Sequence, residues 1–598
     1  MVRLGWGWIL QRQDDRTITL SLGHRWRIAI ARLPALRLTA APVQALILAA
    51  VALPYFANLG TSSLWDANES FYAETPREML ENGDYLAPQF NYQPRAQKPP
   101  LTYWLILLSY QVLGVSEFAV RLPGALAALG VLLFTYGIGR MLFSPTAGLV
   151  ASVMLGTCAR FFVLARKLPI DILLLFWLTG TVFFLLRALK RTSPSWTSWA
   201  PVYGFAALGF LTKGPVALII PAATYFLWSL WGRRFSLRET HPFAGSLVFA
   251  VIVLPWYVLI YLTHGWVYIA SFFLKDNLGR FAAISFGPAR GPFYYIPAYV
   301  FDFFPWSILT AVVGYYLWLT RKQLRETGSL SWGFPLIWCG VVFVLFSLSK
   351  NKQEYYIAPL YPMMAVLLAG LIERSLLARE SDERGRLSYF WMWVFFIAAV
   401  GIFGISIFLL VLLRAMLPDS PVAVHYLPSA ILLPCSLLLA WQVMRGRLHR
   451  SFVGVAVPIW AMFVLASLVY LPLIEPYRPV KEMCKLIEEQ SQPGDEAGYY
   501  VATVPSMVYY LRRPVFEEFD PDSMVRRFES SKSIFCVITE NDYNYFVGSR
   551  DLILYVLDRR PRLITQFRYL LDDELWAGNE LLLVSNRPLN EKESPENP

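Results

Sequence analysis

The sequence predicts a polytopic α-helical membrane protein that ends in a small α/β domain. The chain has 598 residues, 56% of them hydrophobic, and a mean hydropathy of +0.45, which lies outside the range of soluble globular proteins. Apolar runs near 20 residues, the length that crosses a bilayer as a helix, recur up to about residue 473. From Pro476 onwards the composition becomes polar, which indicates a separate domain.

The N-terminal segment 1–40 is basic and has no compact apolar core, so it is not expected to be a cleavable signal peptide. A basic leader before the first apolar run predicts a cytoplasmic N-terminus. Two acids, Asp14 and Asp15, stand against the arginines of this segment, which are Arg3, Arg12, Arg16, Arg25, Arg27, Arg32 and Arg37.

Thirteen apolar runs are candidate membrane helices, within a predicted transmembrane region 41–475. They are approximately 41–59, 119–140, 146–164, 171–189, 199–212, 215–231, 243–263, 297–319, 333–348, 355–373, 389–413, 425–444 and 452–473. A further run, Leu101–Leu113, is shorter than the roughly 17 residues that a span requires. Whether it crosses decides on which side every later loop lies.

The positive-inside rule favours a topology in which Leu101–Leu113 does not cross. All short basic clusters then lie on the cytoplasmic side; they are Arg140, Lys190–Arg191, Arg233–Arg234–Arg238, Arg321–Lys322–Arg325, Arg374 to Arg386 and Arg445–Arg447–Arg450. We therefore expect about 13 transmembrane helices, a first external loop 60–118 with interfacial helices, and an external C-terminus. The expected location is the cytoplasmic (inner) membrane of a bacterium.

Residues 476–588 are predicted to form the external α/β domain, followed by a disordered tail, 589–598. A helix is expected at Val480–Gln490 and strands at Tyr499–Thr503, Ile534–Thr539 and Glu580–Val584. Cys484 and Cys536 lie in this domain, and the sequence leaves open whether they form a disulfide.

Composition and motifs argue against several classes of function. The formal charge of +11 is explained by membrane sidedness, and no basic patch interleaved with aromatic residues indicates nucleic-acid binding. The five histidines are scattered without metal-ligand spacing, so no metal site is expected and a divalent metal is not required. No glycine-rich nucleotide loop stands out in the sequence. No internal repeat stands out either, so the sequence gives an inverted-repeat transporter no support.

The first candidate acids, Asp66 and Glu69, follow the first apolar run directly. Residues Asn68–Asn82 have the 3–4 residue apolar spacing of a surface helix. One interpretation is a solvated helix N-terminus, where acids are favoured by the helix dipole. The other is a general base at the membrane interface. Asp171, at the head of a later apolar run, either pairs with Arg166 or serves as a second acid that orients the acceptor.

Cations from distant loops would meet these acids at the external interface. Lys98 precedes two prolines, Lys213 lies between two spans with almost no loop, and Arg280 follows in a third segment. Each lysine could anchor a span by snorkelling or bind a phosphate; Lys350 and Lys352 are weaker candidates. Cations beside carboxylates, above apolar helices, suit a lipid-linked phosphosugar whose phosphate is the leaving group.

Several motifs in one order resemble a known family. They are WDANESFYAETPREMLENGDY, QKPPLTYW, EFAVRLPGALAALG, ARKLPIDILLLFW, LGFLTKGPVALIIP, FFLKDNLGRF, GPFYYIPAYVFDFFPW and FSLSKNKQEYYIAPLYP. Over residues 41–375 this set is similar to the bacterial aminoarabinose transferase-like family, which is related to the protein O-mannosyltransferases. The resemblance implies a GT-C glycosyltransferase fold, a polyprenyl-phosphate sugar donor and an inverting transfer. It also implies that Lys98, Lys213 and Arg280 bind the donor phosphate, and that Asp171 and Tyr72 lie in the active site.

The chain departs from the family pattern at its first motif. The family usually has Asp-Glu and then, after two intervening residues, Tyr; here those positions are Asn68, Glu69 and Tyr72. Because asparagine cannot act as a base, we expect Asp66 or Glu69 to take that role. Gln97 stands where the aminoarabinose enzymes usually have an acid, and Asn277 where histidine is common. Both differences argue against aminoarabinose and lipid A as the substrate pair, and against a metal held there.

The sequence therefore predicts an inverting glycosyltransferase that moves a hexose or pentose from a polyprenyl phosphate, such as undecaprenyl phosphate, to a lipid, glycan or protein acceptor on the outer face of the membrane. Asp66, Glu69 and Asp171 are the candidate catalytic acids. Two alternatives stay open: a lipid or polysaccharide flippase, and an inactive family member, which Asn68 motivates. The sugar, the acceptor and the oligomeric state do not follow from the sequence.

Overall fold

A computed structural model describes most of the chain at the level of side chains. The described residues are 40–66, 68–167, 169–232, 236, 238–282, 290–311, 313–315, 330–377, 383–417, 420–445, 448–563 and 580–588. The predicted basic N-terminal segment and the predicted disordered tail lie outside the described residues, apart from Ala40.

Helices form the membrane region, as the apolar runs predict. The longer ones are α1 Ala41–Phe56, α2 Asn68–Asn82, α3 Leu101–Leu113, α4 Glu117–Leu142, α5 Pro145–Gly156, α6 Ala159–Lys167, α7 Pro169–Leu189, α8 Trp196–Lys213, α9 Val216–Trp231, α10 Pro242–Ala270, α11 Tyr295–Asp302, α12 Leu330–Leu348, α13 Leu360–Leu377, α14 Glu383–Met416, α15 Val422–Met444 and α16 Leu448–Leu465. Two π-helical segments, Ser271–Gly279 and Ala466–Tyr470, continue α10 and α16. Among the described residues, seven helical segments are long and apolar enough to cross a membrane, or nine if each bent pair is one span. The polytopic architecture is confirmed, and the number of about 13 stays a prediction.

Two of the predicted runs are broken helices. α5 and α6 meet at a bend of 68° and together replace the straight span expected at 146–164. Ser144 caps the pair by accepting a hydrogen bond from the Ala147 amide, and Cys158 lies in the break. The bend turns α6 so that its basic C-terminal end approaches the end of α1.

The short helix α3 has both of its ends at the same end of the bundle. Lys98, just before α3, pairs with Asp276, and Glu117, just after it, accepts a 2.7 Å hydrogen bond from Lys481 of the C-terminal domain. Towards the end of α3, the Tyr110 hydroxyl donates to the Ala73 carbonyl of α2. This arrangement supports the prediction that Leu101–Leu113 is an interfacial helix rather than a span.

The opposite end of the bundle gathers the basic connections. Lys190, after α7, donates to the Met141 carbonyl at the end of α4, and Ser144 donates to Glu373 near the end of α13. Asp171 is at the other end of α7. The turns that carry Arg140, Lys190 and Arg374 therefore meet at one end of the bundle, which agrees with the positive-inside argument for these three.

Aromatic rings inserted at glycines hold α4, α7 and α8 together. A Cβ atom on Gly130 would lie 2.3 Å from the Phe176 ring, and one on Gly180 would lie 2.3 Å from Phe205. Phe134 contacts both rings at centroid distances of 5.4 and 5.5 Å. Close packing at small residues is the means by which helices associate in lipid, where burial of apolar surface supplies little driving force.

The C-terminal region forms a five-stranded mixed sheet with the order β4–β3–β5–β7–β6. After a small hairpin in the first loop, β1 Gln89–Phe90 and β2 Gln93–Pro94, the strands are β3 Glu496–Tyr500, β4 Phe516–Glu518, β5 Ile534–Thr539, β6 Tyr555–Pro561 and β7 Glu580–Ser585. The helices are α17 Val480–Gln490, α18 Ser506–Leu511, α19 Pro521–Phe528 and α20 Glu540–Arg550. β3 pairs in parallel with β4 and β5, whereas β7 is antiparallel to β5 and β6.

The predicted helix at Val480–Gln490 and the strand at Ile534–Thr539 are confirmed with the same bounds. β3 ends three residues before the predicted Thr503, because Val501 and Thr503 have φ values of 57° and 50° and begin a turn. Cys484 and Cys536 are both free and buried. They lie in separate apolar clusters, so the structure holds no disulfide between them.

Candidate active site

Two lysine–carboxylate ion pairs form the centre of the candidate site. Lys213, the last residue of α8, pairs with Asp171 in the first turn of α7. Lys98, ahead of the two prolines that start α3, pairs with Asp276 in the π-helical segment. Each of the four side chains is less than one fifth exposed. Partly buried ion pairs of this kind leave an uncompensated charge if either partner is removed.

The backbone at Gly214 brings the two pairs close to each other. Gly214 has φ 87°, a conformation that residues with a Cβ atom rarely adopt. A Cβ atom there would lie 2.6 Å from the Phe272 ring and 3.6 Å from Asn277 Oδ1. Lys213 therefore lies against the same π-helical segment that carries Asp276.

A pair of tyrosines lies between the two ion pairs. Tyr72 of α2 stacks on Tyr103 of α3 with ring centroids 5.7 Å apart. Burial raises the pKa of Tyr72 well above its ordinary value, and the neighbouring Tyr103 and Asp171 add to the effect. The Tyr72 hydroxyl is therefore neutral and can donate a hydrogen bond to an anion.

Asp66, in the segment before α2, lies against the C-terminal domain. Its Oδ1 accepts a 3.0 Å hydrogen bond from the amide of Ser506, at the start of α18. Although the residue keeps exposed surface, the surrounding protein desolvates its carboxyl and raises the pKa, while Ser506 and Arg478 partly oppose this. A carboxylate with a raised pKa and some exposure can accept a proton, as a general base requires.

Glu69 is in a different environment from Asp66. It is fully buried, and both of its oxygens accept hydrogen bonds from Arg121 of α4, at 2.6 and 2.9 Å. Its Oε2 also accepts from the Trp65 amide at 2.9 Å. These contacts occupy both oxygens, so the geometry does not favour Glu69 as the base and indicates a structural role. Between the two acids, Asn68 begins α2 and is exposed.

Asp171 pairs with Lys213 and not with Arg166, so the sequence-based pairing with Arg166 is wrong. Arg166 donates instead to the carbonyls of Pro54 and Ala57, at 2.6 and 2.7 Å. These carbonyls lie at the C-terminal end of α1, where the helix dipole favours a cation.

The remaining predicted cations are less central. Lys350 is exposed and its amide bonds to the Phe281 carbonyl at 3.0 Å. Lys352 is buried and its ammonium donates to the Ser349 carbonyl of its own turn. The side chain of Arg280 lies outside the described residues, although its backbone starts a short helix, Arg280–Ala282.

Several residues at the site were not among the predicted ones. Asp276 and Arg95 act on the site from the π-helical segment and the first loop, but the sequence argument assigned neither of them a role. Tyr355 and Tyr356 face Lys213 at 5.5 and 5.0 Å from its ammonium. A weak signal did exist for Asp276, since a buried lysine needs a nearby acid and few acids lie in the later external segments. Ser506 could not be found in this way, because it reaches the site only through docking of the C-terminal domain.

No cluster of three or more histidine, cysteine or acidic side chains that could hold a metal ion occurs among the described residues. The available groups are ammonium ions, carboxylates and phenols. They can bind a phosphate, stabilise negative charge on a leaving group and accept a proton from a hydroxyl.

A second buried acid on α2, Glu78, leads to a prediction about stability. Burial and the neighbouring Glu74 raise its pKa to about 8, so the protonated form is favoured in the folded protein. The stabilisation is present at low pH and is lost as the pH rises from about 4.5 to about 8. We expect the unfolding temperature of the wild type to fall between about pH 5 and about pH 9, and Glu78→Gln to remove most of that fall. Equal pH slopes in thermal unfolding of the two proteins would contradict this assignment.

Comparison with known proteins finds sequence relatives among glycosyltransferases. Residues 97–259 match the family model described as dolichyl-phosphate-mannose-protein mannosyltransferase. An undecaprenyl phosphate-α-4-amino-4-deoxy-L-arabinose arabinosyl transferase of Pseudomonas fluorescens is 30% identical over 333 residues, covering 55% of this chain and 56% of that protein. Over about half of its length, the chain is therefore similar in sequence to the aminoarabinose transferases. An uncharacterized Aquifex aeolicus protein is 29% identical over 471 residues, covering 77% of this chain and 85% of its own length.

A solved structure extends the fold similarity over nearly the whole chain. The crystal structure of ArnT from Cupriavidus metallidurans bound to undecaprenyl phosphate has a TM-score of 0.71 at 20% identity, covering 92% of this chain and 98% of that one. This confirms the GT-C fold expected from the motifs. The match to the Pseudomonas fluorescens transferase spans little more than half of that protein's length, so activity and substrates are matters for proposal.

Proposed function

We propose that this protein is a membrane glycosyltransferase that takes a sugar from a polyprenyl-phosphate donor. The observation that carries the proposal is the juxtaposition of two lysine–carboxylate pairs, Lys98–Asp276 and Lys213–Asp171, at the end of the bundle where the C-terminal domain docks. Sequence similarity to the aminoarabinose transferases supports the same reaction class.

In this proposal the donor phosphate replaces the carboxylates as partner of Lys98 and Lys213. Two ammonium groups then stabilise the phosphate as the bond to the sugar breaks and negative charge develops on it. The Tyr72 hydroxyl, which stays neutral, can donate to the same group. Asp171, released from Lys213, is free to orient the acceptor, while the polyprenyl chain remains in the bilayer.

The attacking hydroxyl of the acceptor loses its proton to Asp66. That proton transfer and the break of the sugar–phosphate bond leave the polyprenyl phosphate as product. Attack on the face opposite the phosphate inverts the anomeric centre. Asn68 stands at the position where the family usually has aspartate, but an amide oxygen is not basic enough to accept the proton. Both carboxylate oxygens of Glu69 already accept hydrogen bonds from Arg121. Asp66 therefore takes the role of the base.

The flippase alternative receives less support from the ionisable residues. A transport path requires charged or polar groups along the membrane depth. The two lysine–carboxylate pairs lie instead at one end of the helices, near the first loop and the C-terminal domain.

Turnover by purified protein in liposomes tests the proposal. We expect radiolabelled sugar to move from undecaprenyl phosphate into an acceptor supplied with membrane extract, and mass spectrometry to identify the product. Lys213→Met is expected to weaken use of the donor by about tenfold or more, because one charge-assisted contact to the phosphate is lost. Lys532→Met, a change at an exposed lysine of the C-terminal domain, is the matched control. Movement of intact donor across the bilayer without sugar transfer would favour the flippase.

A further inference from the structure

Arg95 is a partly buried cation beside the proposed donor site. It lies in the first loop, shortly before Lys98, and its guanidinium carbon packs 4.2 Å from the centre of the Phe71 ring and 5.6 Å from that of Phe90. Its Nε is buried and has no hydrogen-bond partner within the described part of the chain. Among the described residues, Arg95 also forms no ion pair with a carboxylate.

The Tyr103 hydroxyl, close to Arg95, is a second buried donor of this kind. Tyr103 is fully buried, and its hydroxyl forms no hydrogen bond with any described residue. Burial raises the pKa of Tyr103, and the nearby charge of Arg95 opposes this rise. Arg95 acts in the same way on Tyr72, the other ring of the stacked pair. Both donors gain from an acceptor, because a buried polar group without a partner costs free energy.

The acids that act on the same tyrosines as Arg95 bond to other groups. They are Asp276, which pairs with Lys98, Asp171, which pairs with Lys213, and Asp84, which accepts from the amides of Leu86 and Ala87. In the proposed reaction the two lysines exchange their carboxylates for the donor phosphate. Arg95 has no such carboxylate to exchange, so it is suited to a second acidic group of the donor.

We propose that Arg95 and Tyr103 bind a carboxylate on the sugar of the donor, which makes the transferred residue an acidic sugar of the uronic-acid class. This inference rests on the proposed transferase function and specifies its substrate. A guanidinium presents two N–H groups side by side, an arrangement that matches the two oxygens of a carboxylate. The Phe71 and Phe90 rings hold the guanidinium in place before the donor binds. The Tyr103 hydroxyl can donate to the same oxygens.

Binding of matched donors tests the assignment without turnover. Undecaprenyl phosphate glucuronate and galacturonate each differ from the corresponding neutral hexose donor by a carboxylate in place of a hydroxymethyl group. We expect the wild type to bind at least one acidic donor about tenfold or more tightly than its neutral counterpart, because hydrogen bonds to charged groups are the stronger ones. Equal affinity for the acidic and neutral donors would overturn the proposal.

Variants of the two residues identify the groups responsible for this preference. Arg95→Met is expected to reduce the ratio of acidic-donor to neutral-donor affinity to about threefold or less. Arg95→Lys keeps the charge but loses the paired N–H groups, so an intermediate ratio is expected. Tyr103→Phe keeps the stacked ring and should also lower the ratio, whereas Lys532→Met is the control. Thermal unfolding confirms that each variant is folded, and a ratio that Arg95→Met leaves intact would overturn the proposal.

A second phosphate is the other source of an additional acidic group on the donor. Binding of undecaprenyl phosphate and of undecaprenyl diphosphate, both without sugar, is therefore measured with the same variants. If Arg95→Met weakens binding of either sugar-free lipid as much as it weakens binding of the acidic donor, Arg95 is a phosphate ligand and the carboxylate proposal fails.

Turnover separates this inference from the function on which it rests. If sugar is transferred from acidic and neutral donors with equal kcat/KM, the transferase function stands and the carboxylate site fails. If the acidic donor binds in an Arg95-dependent way but no sugar is transferred, the site stands and the transferase proposal fails. If both are correct, kcat/KM should be about tenfold or more higher for the acidic donor, and Arg95→Met should remove most of that difference.

Discussion

Replacement of Asp66 by asparagine is expected to lower sugar transfer by roughly 10²–10⁴-fold, the usual contribution of a positioned general base. The change keeps the shape of the side chain and its ability to accept the hydrogen bond from the Ser506 amide, so the C-terminal domain should stay docked. Donor affinity should be unchanged, because the phosphate ligands are other residues. Single-turnover rates and donor binding, measured on the same preparation, check both expectations.

The pH dependence of kcat/KM of the wild type tests independently whether Asp66 is the base. A base must be ionised to act, and burial raises the pKa of Asp66 above its ordinary value. We therefore expect kcat/KM to rise with pH through a limb that lies above the ordinary aspartate range. Retention of wild-type transfer by Asp66→Asn would show that another group accepts the proton.

Replacement of Glu69 by glutamine is expected to destabilise the protein by about 3–5 kcal/mol, the cost of removing one partner from a buried ion pair. Arg121 would be left with its charge buried and only neutral oxygen partners, such as the carbonyls of Leu59 and Ser63 at 2.8 Å each. Thermal unfolding in detergent should show a clear decrease in unfolding temperature. Any loss of transfer should follow the loss of folded protein.

Glu81→Gln is the matched control for this experiment. Glu81 lies on the same helix and also pairs with an arginine, Arg77, but its side chain is 46% exposed. An exposed pair contributes about 0–1 kcal/mol, so this variant should unfold close to the wild-type temperature. If Glu69→Gln were equally stable yet inactive, Glu69 would have to be reconsidered as a catalytic acid.

The sequence predicted local features well where a short-range pattern decides them. The helix Asn68–Asn82 is confirmed with its predicted bounds, because its apolar spacing and polar start are both local. The shortness of Leu101–Leu113 and the sidedness of the basic clusters predicted that it does not cross the membrane, and the position of its two ends supports that prediction. The helices that bend within a run, such as α5 and α6, were not predicted, since an apolar run has the same composition whether it is straight or broken.

Pairing between distant residues could not be read from the sequence. Asp171 has Arg166 nearby in the chain, yet its partner is Lys213, which lies 42 residues further along. The two acids of the first loop likewise look equivalent in the sequence. Only the packing of α2 against α4 buries Glu69 on Arg121, and only the C-terminal domain provides the Ser506 amide for Asp66.

Binding of undecaprenyl phosphate tests most directly the central claim that Lys98 and Lys213 exchange their carboxylate partners for the donor phosphate. Affinity should be measured for the wild type, Lys98→Met/Lys213→Met, and Asp171→Asn/Asp276→Asn, with Lys532→Met as control. Two lost charge-assisted contacts predict a decrease of about 100-fold or more for the lysine double variant. The aspartate double variant should bind at least as tightly as the wild type, because competing carboxylates are gone. Wild-type affinity in the lysine double variant would contradict the account.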